Sequence, residues 1–352
     1  MRLAIVGAGI AGRLLAWRLI KSGHSVELYD KAVRGEEAAC SFAAAGILSP
    51  LAELEMAEPD IFHFGVRSME LYQQWLTQLS QPVFFRQIGS LVTAHGSDKV
   101  ELEHFYRLIQ RKADNDALND TPVEKVKVAD KEPDLSHLGD GLFLPSEGQV
   151  DTIGLLAALA TELEQSDNLI WHDGTEVDAV NHQSLTIAGK TQTFDWVFDC
   201  RGLGAKDELP LRAVRGELLW LQAPDVSIQH LTRLIHPRYR IYVVPRPNDT
   251  YIIGATEIES DDYSPVSVRS SLELLSAAYS VHRGFGEARI IKSVVNCRPA
   301  LPDNLPIIDT EEGLTRINGL YRHGILMAPA IVEEAINNFE QLSQKVTHAS
   351  NS

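Results

Sequence analysis

Three glycines near the N-terminus, Gly7, Gly9 and Gly12, stand in the spacing G-x-G-x-x-G. They follow the apolar run Leu3–Val6 and open a stretch, Ile10 to about Ser22, with helical periodicity. Leu14, Leu15, Leu19 and Ile20 fall on one side of that stretch, and Gly23 ends it. Ser25–Asp30 then reads as a second strand. The predicted unit is therefore strand, tight turn, helix, strand, a complete β-α-β. In that context each residue of Gly7-Ala8-Gly9-Ile10-Ala11-Gly12 has a task. Gly7 permits the turn, Gly9 lets backbone approach a pyrophosphate, and Gly12 allows close helix–strand packing. The helix N-terminus offers N–H groups and a positive dipole end to the diphosphate. Asp30, ending the second strand, can accept from ribose hydroxyls. The motif alone does not separate NAD from FAD. Its position at residue 7, before a long remainder, favours FAD.

The remainder differs in kind. Asp151 to about Glu164 predicts an amphipathic helix and Phe194–Asp199 a strand. Glu217–Gln222, Arg240–Val244 and Thr250–Ile253 are β-rich, the last two joined by the turn signal Pro-Arg-Pro-Asn-Asp. Val268 to about Tyr279 is predicted helical, Ala288–Val295 a strand, and Gly324 to about Gln344 a final helix. The expected fold class is α/β plus α+β, with an antiparallel sheet embedded in a nucleotide-binding domain.

Charge and spacing exclude several classes. Lys and Arg total 32 against 48 Asp and Glu, a formal charge of −16. That field repels phosphate backbones and anionic membranes, so neither is an expected partner. Cys40, Cys200 and Cys297 form no CxxC or zinc spacing, and the twelve histidines form no metal motif. Arg13 and Arg18 break the apolar N-terminal stretch, and the longest uncharged run, about Ala38–Ala52, contains Pro50 and is too short to span a bilayer. A cytoplasmic protein is expected. No G-x-S-x-G and no Cys beside a basic motif points to nucleophilic catalysis.

Five further segments resemble the D-amino acid oxidase superfamily of FAD enzymes, most closely its glycine oxidase branch, which serves thiamine biosynthesis. They are Cys40–Pro50, Glu147–Asp151, Val214–Glu217, Tyr242–Arg246 with Ile253–Glu257, and Cys297–Asp303 with Tyr321–Pro329. The resemblance runs from residue 1 to about 335. Cys297, Leu320 and His323 depart from its usual pattern.

The resemblance implies a Rossmann-like FAD-binding domain at 1–84, 146–212 and 296–352. It implies a substrate-binding domain on the antiparallel sheet at 85–145 and 213–295. Arg298 becomes the clamp on a substrate carboxylate, because a planar guanidinium meets both oxygens. Tyr242 adds a hydroxyl to that carboxylate or flanks the pocket, and Arg322 supports Tyr242 or the pocket wall. Around FAD the resemblance places the glycine turn, Asp30 and Lys31, the small residues Ala44, Ala45 and Gly46, and Leu48. It also places there Val177, Gly202 and Arg298, with His323, Gly324, Ile325, Leu326 and Met327 opening a helix toward the flavin. The implied reaction is hydride transfer from the Cα of glycine or another small amine-bearing carboxylate to flavin N5. The product is an imino acid, and dioxygen yields hydrogen peroxide. Sarcosine, a D-amino acid or an iminodiacetate-like amine remain open as substrates. So do a dehydrogenase and a flavin-binding maturation protein. The resemblance also allows a homo-oligomer.

Overall fold

The computed structural model describes residues 1–113, 121–236 and 240–350. Leu3, Ala4 and Ile5 have no exposed surface, which is why the first strand reads as an unbroken apolar run instead of an alternating one. This strand, β1 (Arg2–Val6), is the middle of a six-stranded sheet. It pairs in parallel with β2 (Ser25–Tyr29) on one side and with the strand Trp196–Asp199 on the other. Leu169–His172 lies beyond β2, and the hairpin Ile307–Glu311/Leu314–Asn318 lies beyond Trp196–Asp199. Helix α1 (Ile10–Lys21) joins β1 to β2 and carries Arg18 and Lys21 in its last turn, which complements its dipole. On the helix side, one core joins α1 to the helices Pro59–Leu76, Thr152–Glu164 and Gly324–Ser350. On the other face, a small three-stranded sheet packs on Ala4, Val6, Tyr29 and Val197.

The second sheet has nine strands, and its register builds the site. Arg212–Gln222 pairs along its length with Arg289–Ala300. It also pairs with Thr250–Gly254, which pairs with Arg240–Arg246, which pairs with Leu231–Ile235. Ser90–Ala94, Asp140–Leu144, Glu124–Lys127 and the short Ile258–Glu259, paired with Val214–Arg215, complete it. The strands at 212–222 and 289–300 extend beyond the predicted Glu217–Gln222 and Ala288–Val295, because each gives the other a continuous ladder. Directly paired residues share a face. The pairs Val214–Arg298, Gly216–Asn296, Leu218–Gly254, Tyr242–Gly254 and Arg233–Tyr242 therefore put Arg298, Gly216, Gly254, Tyr242 and Arg233 on one face. The other face, with Leu219, Leu221, Val243 and Ile253, packs on Leu274, Ala277, Ala278 and Val281 of the helix Val268–Val281. Ser267 caps that helix by accepting from Ser270 N–H.

The predicted helix over 151–164 forms as Thr152–Glu164, with Asp151 accepting from Ile153 N–H at 3.2 Å. The last helix runs past Gln344 to Ser350 and follows a single turn of 3₁₀-helix, Tyr321–His323. Its start is anchored by the helix Pro59–Leu76. Tyr72 donates to the Ile325 carbonyl at 2.6 Å, and Ser68 Oγ accepts from Ala330 N–H at 3.1 Å. Among the described residues no helix is long and apolar enough to cross a membrane.

Candidate active site

One cleft of about 1060 Å³ runs from the glycine turn to the exposed face of the nine-stranded sheet. At its first end Gly7 has φ +102°, where a side chain is strained, and an added Cβ would meet the Cys200 carbonyl oxygen at 2.5 Å. A Cβ on Gly12 would lie 1.8 Å from the Gly7 carbonyl oxygen. The turn and helix thus close on each other through glycine alone. Gly9, the N-cap of helix α1, offers no side chain to it, and the first turn holds no acidic residue, which leaves the helix dipole to an anion from outside. Ser41 Oγ accepts from Ile10 N–H at 3.0 Å, so the turn Cys40–Ala43 folds over the start of the helix. Asp30 accepts from the backbone N–H of Ala8 and, at 2.8 Å, of Ala32. A carboxylate retains further lone pairs beyond these two, enough for ribose hydroxyls.

Gly7, Gly9, Ile10, Ala11, Asp30, Lys31, Val177 and Gly202 line this end, and Ala44, Ala45 and Gly46 line the middle. Arg246, half-buried behind them, fixes the middle. Its guanidinium donates to the carbonyls of Ala45 at 2.6 Å and Val150 at 3.0 Å. A Cβ on Gly46 would lie 1.8 Å from the Val150 oxygen. Backbone can therefore lie flat against a ligand along this segment.

Four residues assigned to the cofactor from sequence lie elsewhere. Ala8 is buried, with its N–H committed to Asp30. Gly12 is covered by the Gly7 turn. Leu48 and Met327 have no exposed surface and pack in the helix-side core. In the short strand Ile47–Leu48 alternation sends Leu48 inward and Ile47 to the cleft. Met327 is turned to the core on its helix, while His323, Gly324, Ile325 and Leu326 line the cleft.

At the far end the sheet face supplies Arg298, Tyr242 and Arg233. Arg298 donates to the Thr256 carbonyl at 3.2 Å and, among the described residues, forms no ion pair. Burial pushes the Tyr242 hydroxyl up to about 12, so it stays a phenol and a hydrogen-bond donor. Arg322, expected to support Tyr242 or the pocket wall, lines the cleft. Its Nη2 lies 2.7 Å from Glu53 and its Nη1 3.3 Å from Glu257, and those two carboxylates hold its pKa above the ordinary value. Glu257 also accepts from the Tyr321 hydroxyl. The motif at 214–217 is explained by alternation. Gly216 faces the cleft, while Arg215 and Glu217 form a buried pair at 2.6 Å on the other face, and Arg215 ties down the carbonyls of Asp262, Ser264 and Pro265.

Sequence reasoning missed Glu53, Arg233, Glu257 and Tyr321. Glu53 joins Arg233 at 2.6 Å, Arg322 at 2.7 Å and His323 at 3.4 Å. Burial works against its charge, but Arg322, Arg233 and His323 hold it well below the usual carboxylate range. His323, almost wholly buried, is pushed down to about 4 by desolvation against the pull of Glu53. Its Nδ1 makes no hydrogen bond among the described residues. No local pattern marked Glu53 or Arg233, while Glu257 and Tyr321 lay in the segments that carried the resemblance without being given a role. The register placing Arg233 opposite Tyr242 brings Arg233 to the cleft.

A β-α-β turn open to a diphosphate, leading into a long cleft that ends on a sheet face with Arg298 and Arg233, defines a dinucleotide-binding protein. The comparisons make this specific: the chain belongs to the FAD dependent oxidoreductase family, whose model matches residues 2–336. It is 39% identical over 338 residues to a putative thiamine biosynthesis oxidoreductase, ThiO, of Rhizobium etli, covering 95% of each chain. It is 26% identical to a glycine oxidase of Geobacillus kaustophilus over 93% of this chain and 89% of that protein. The crystal structure of the Geobacillus kaustophilus glycine oxidase superposes with a TM-score of 0.82 at 25% identity, over 97% of this chain and 95% of that one. FAD is the cofactor. The glycine cradle, the start of helix α1 and the carboxylate of Asp30 fit its diphosphate and ribose.

Proposed function

We propose that this enzyme oxidises glycine or a similarly small amine that carries one carboxylate. One observation carries the reading: Arg298, free of any ion pair among the described residues, shares one sheet face and the end of the FAD cleft with the Tyr242 phenol. A carboxylate entering a dry site needs such a partner, and a guanidinium meets both its oxygens. The names of the relatives, glycine oxidase among them, support the same substrate class.

In this reading Arg298 and the Tyr242 hydroxyl hold the carboxylate, which fixes the Cα–H bond relative to the cleft. Arg322, committed to Glu53 and Glu257, positions the turn Tyr321–His323 and the helix after it. Arg246 holds Ala45 and Gly46 as a flat wall. FAD held here would supply the two-electron acceptor for the amine, with dioxygen as the final oxidant. The balance is amine plus dioxygen to imine plus hydrogen peroxide, then imine plus water to glyoxylate and ammonia when glycine is the substrate. The enzyme acts in the cytoplasm in this reading.

The test is peroxide release from flavin-loaded enzyme offered glycine, sarcosine and D-alanine in parallel. Peroxide from at least one is expected, and Arg298→Ala is expected to raise its KM about tenfold or more, the scale of a lost charge-assisted bond. Reduction of the flavin without peroxide would assign a dehydrogenase, and near-normal kinetics in Arg298→Ala would remove that residue from the site.

A further inference from the structure

The charged groups that act on the Tyr242 phenol are Arg298, Arg233, Glu53 and Arg322. Two of the three cations are spoken for. Glu53 Oε1 takes Arg233 at 2.6 Å and Glu53 Oε2 takes Arg322 at 2.7 Å, with Glu257 3.3 Å from the same guanidinium. Three guanidiniums against two carboxylates leave one positive charge (3 − 2), and the free one is Arg298. His323, pushed down to about 4, adds none at neutral pH.

We propose that Glu53 is a specificity-determining residue: by masking Arg233 and Arg322 it leaves one guanidinium exposed and restricts the enzyme to amines with a single carboxylate. This rests on the reading that Arg298 receives the substrate carboxylate. A second carboxylate on the substrate would have to take Arg233 or Arg322 from Glu53. It would leave Glu53 with one guanidinium instead of two in a wall where its side chain is 12% exposed, a costly exchange.

Glu53 is held in place from behind. It ends the four-residue helix Pro50–Glu53. The preceding N–H, of Ala52, donates to Glu147 Oε1 at 2.7 Å, and Glu147 Oε2 accepts from the Ser90 hydroxyl. Glu147 is fully buried. The segment Glu147–Asp151, singled out in the sequence, thereby acquires a role: its first residue fixes the backbone beside Glu53.

The experiment follows the visible absorbance of the flavin-loaded enzyme as acetate or malonate is added at neutral pH. Wild type should bind acetate at least tenfold more tightly than malonate. Glu53→Gln, which keeps the shape and removes the charge, should shift that ratio at least tenfold toward malonate, and Glu53→Gln/Arg233→Gln should lose most of the gain. An unchanged ratio in Glu53→Gln, with acetate still binding to wild type, overturns this inference alone. Wild type that binds neither probe overturns the reading of Arg298 and this inference with it. If Glu53→Gln loses its flavin, Glu147→Ala is titrated instead. Freeing Ala52 should move the ratio at least threefold in the same direction, and no movement overturns the inference.

Discussion

The guanidinium of Arg298 rests on the backbone of Gly216: a Cβ placed on that glycine would lie 2.2 Å from Nη2 and 2.4 Å from Cζ. The two sit on paired strands, with Gly216 opposite Asn296 and Arg298 opposite Val214. Glycine here is space for the clamp. The clashing atoms are the far end of a flexible side chain, so Gly216→Ala should cost little stability and displace Arg298 instead. KM for glycine, or for the best of the three amines, should rise about tenfold, the scale of a charge-assisted bond lost, with Tm nearly unchanged. Steady-state kinetics beside a thermal melt decide this. A variant with wild-type KM would mean the carboxylate does not sit against this guanidinium.

Gly12 tests the other end of the cleft. Its added Cβ would lie 1.8 Å from a backbone oxygen, that of Gly7, which cannot swing aside. Gly12→Ala should therefore open the turn and abolish flavin retention. The flavin-to-protein absorbance ratio of the purified variant reads this directly. Normal occupancy would show that the turn tolerates displacement.

The two ends of the cleft were not equally legible in the sequence. The glycine turn is local: its residues are neighbours in the chain, and each task follows from spacing. Arg298 and Tyr242 stood out only within motifs that resemble a family. Glu53 sits in Leu-Ala-Glu-Leu-Glu-Met-Ala-Glu, a segment that reads like a solvated acidic face. What makes it part of a site is a register 180 residues away, where Arg233 faces Tyr242, and no local periodicity reports it. Leu48 and Met327 fail for the opposite reason. They lie in the right segments, but alternation and helix phase turn them to the core. The helix Pro59–Leu76 went unread as well, although it anchors the start of the last helix through Tyr72.

Glu147 makes a pH prediction with a definite sign. Burial, partly offset by Ser90, Ala52, Arg233 and Ser49, pushes its carboxyl from 4.5 up to about 7. Between those values the native state holds a proton that the unfolded state has released. Its contribution is therefore fully present below 4.5 and is lost as pH rises through 7. Glu147→Gln cannot titrate. The stability of wild type relative to this variant should fall as pH rises across that window, by up to about 1.4 kcal/mol per pH unit, and then level off. Urea melts of both proteins at several pH values measure it, and parallel stability curves would show that the buried carboxyl does not titrate there.

His323 acts with the opposite sign. Its folded value, pushed down to about 4 by burial, lies below the ordinary 6.5. Between the two the unfolded state holds a proton that the native imidazole refuses. Its contribution is full above 6.5 and is lost as pH falls through 4. From 4.5 to 6.5 the two residues oppose each other, so in wild type their contributions largely cancel. Each single variant should expose the other. Glu147→Gln should lose more stability than wild type on acidification through that range, because His323 then acts unopposed. His323→Asn should shift the opposite way, because Glu147 then acts unopposed. The double variant should run parallel to wild type. Melts of the four proteins at the same pH values form a complete cycle. Single variants that keep the wild-type slope between 4.5 and 6.5 would rule out both assignments.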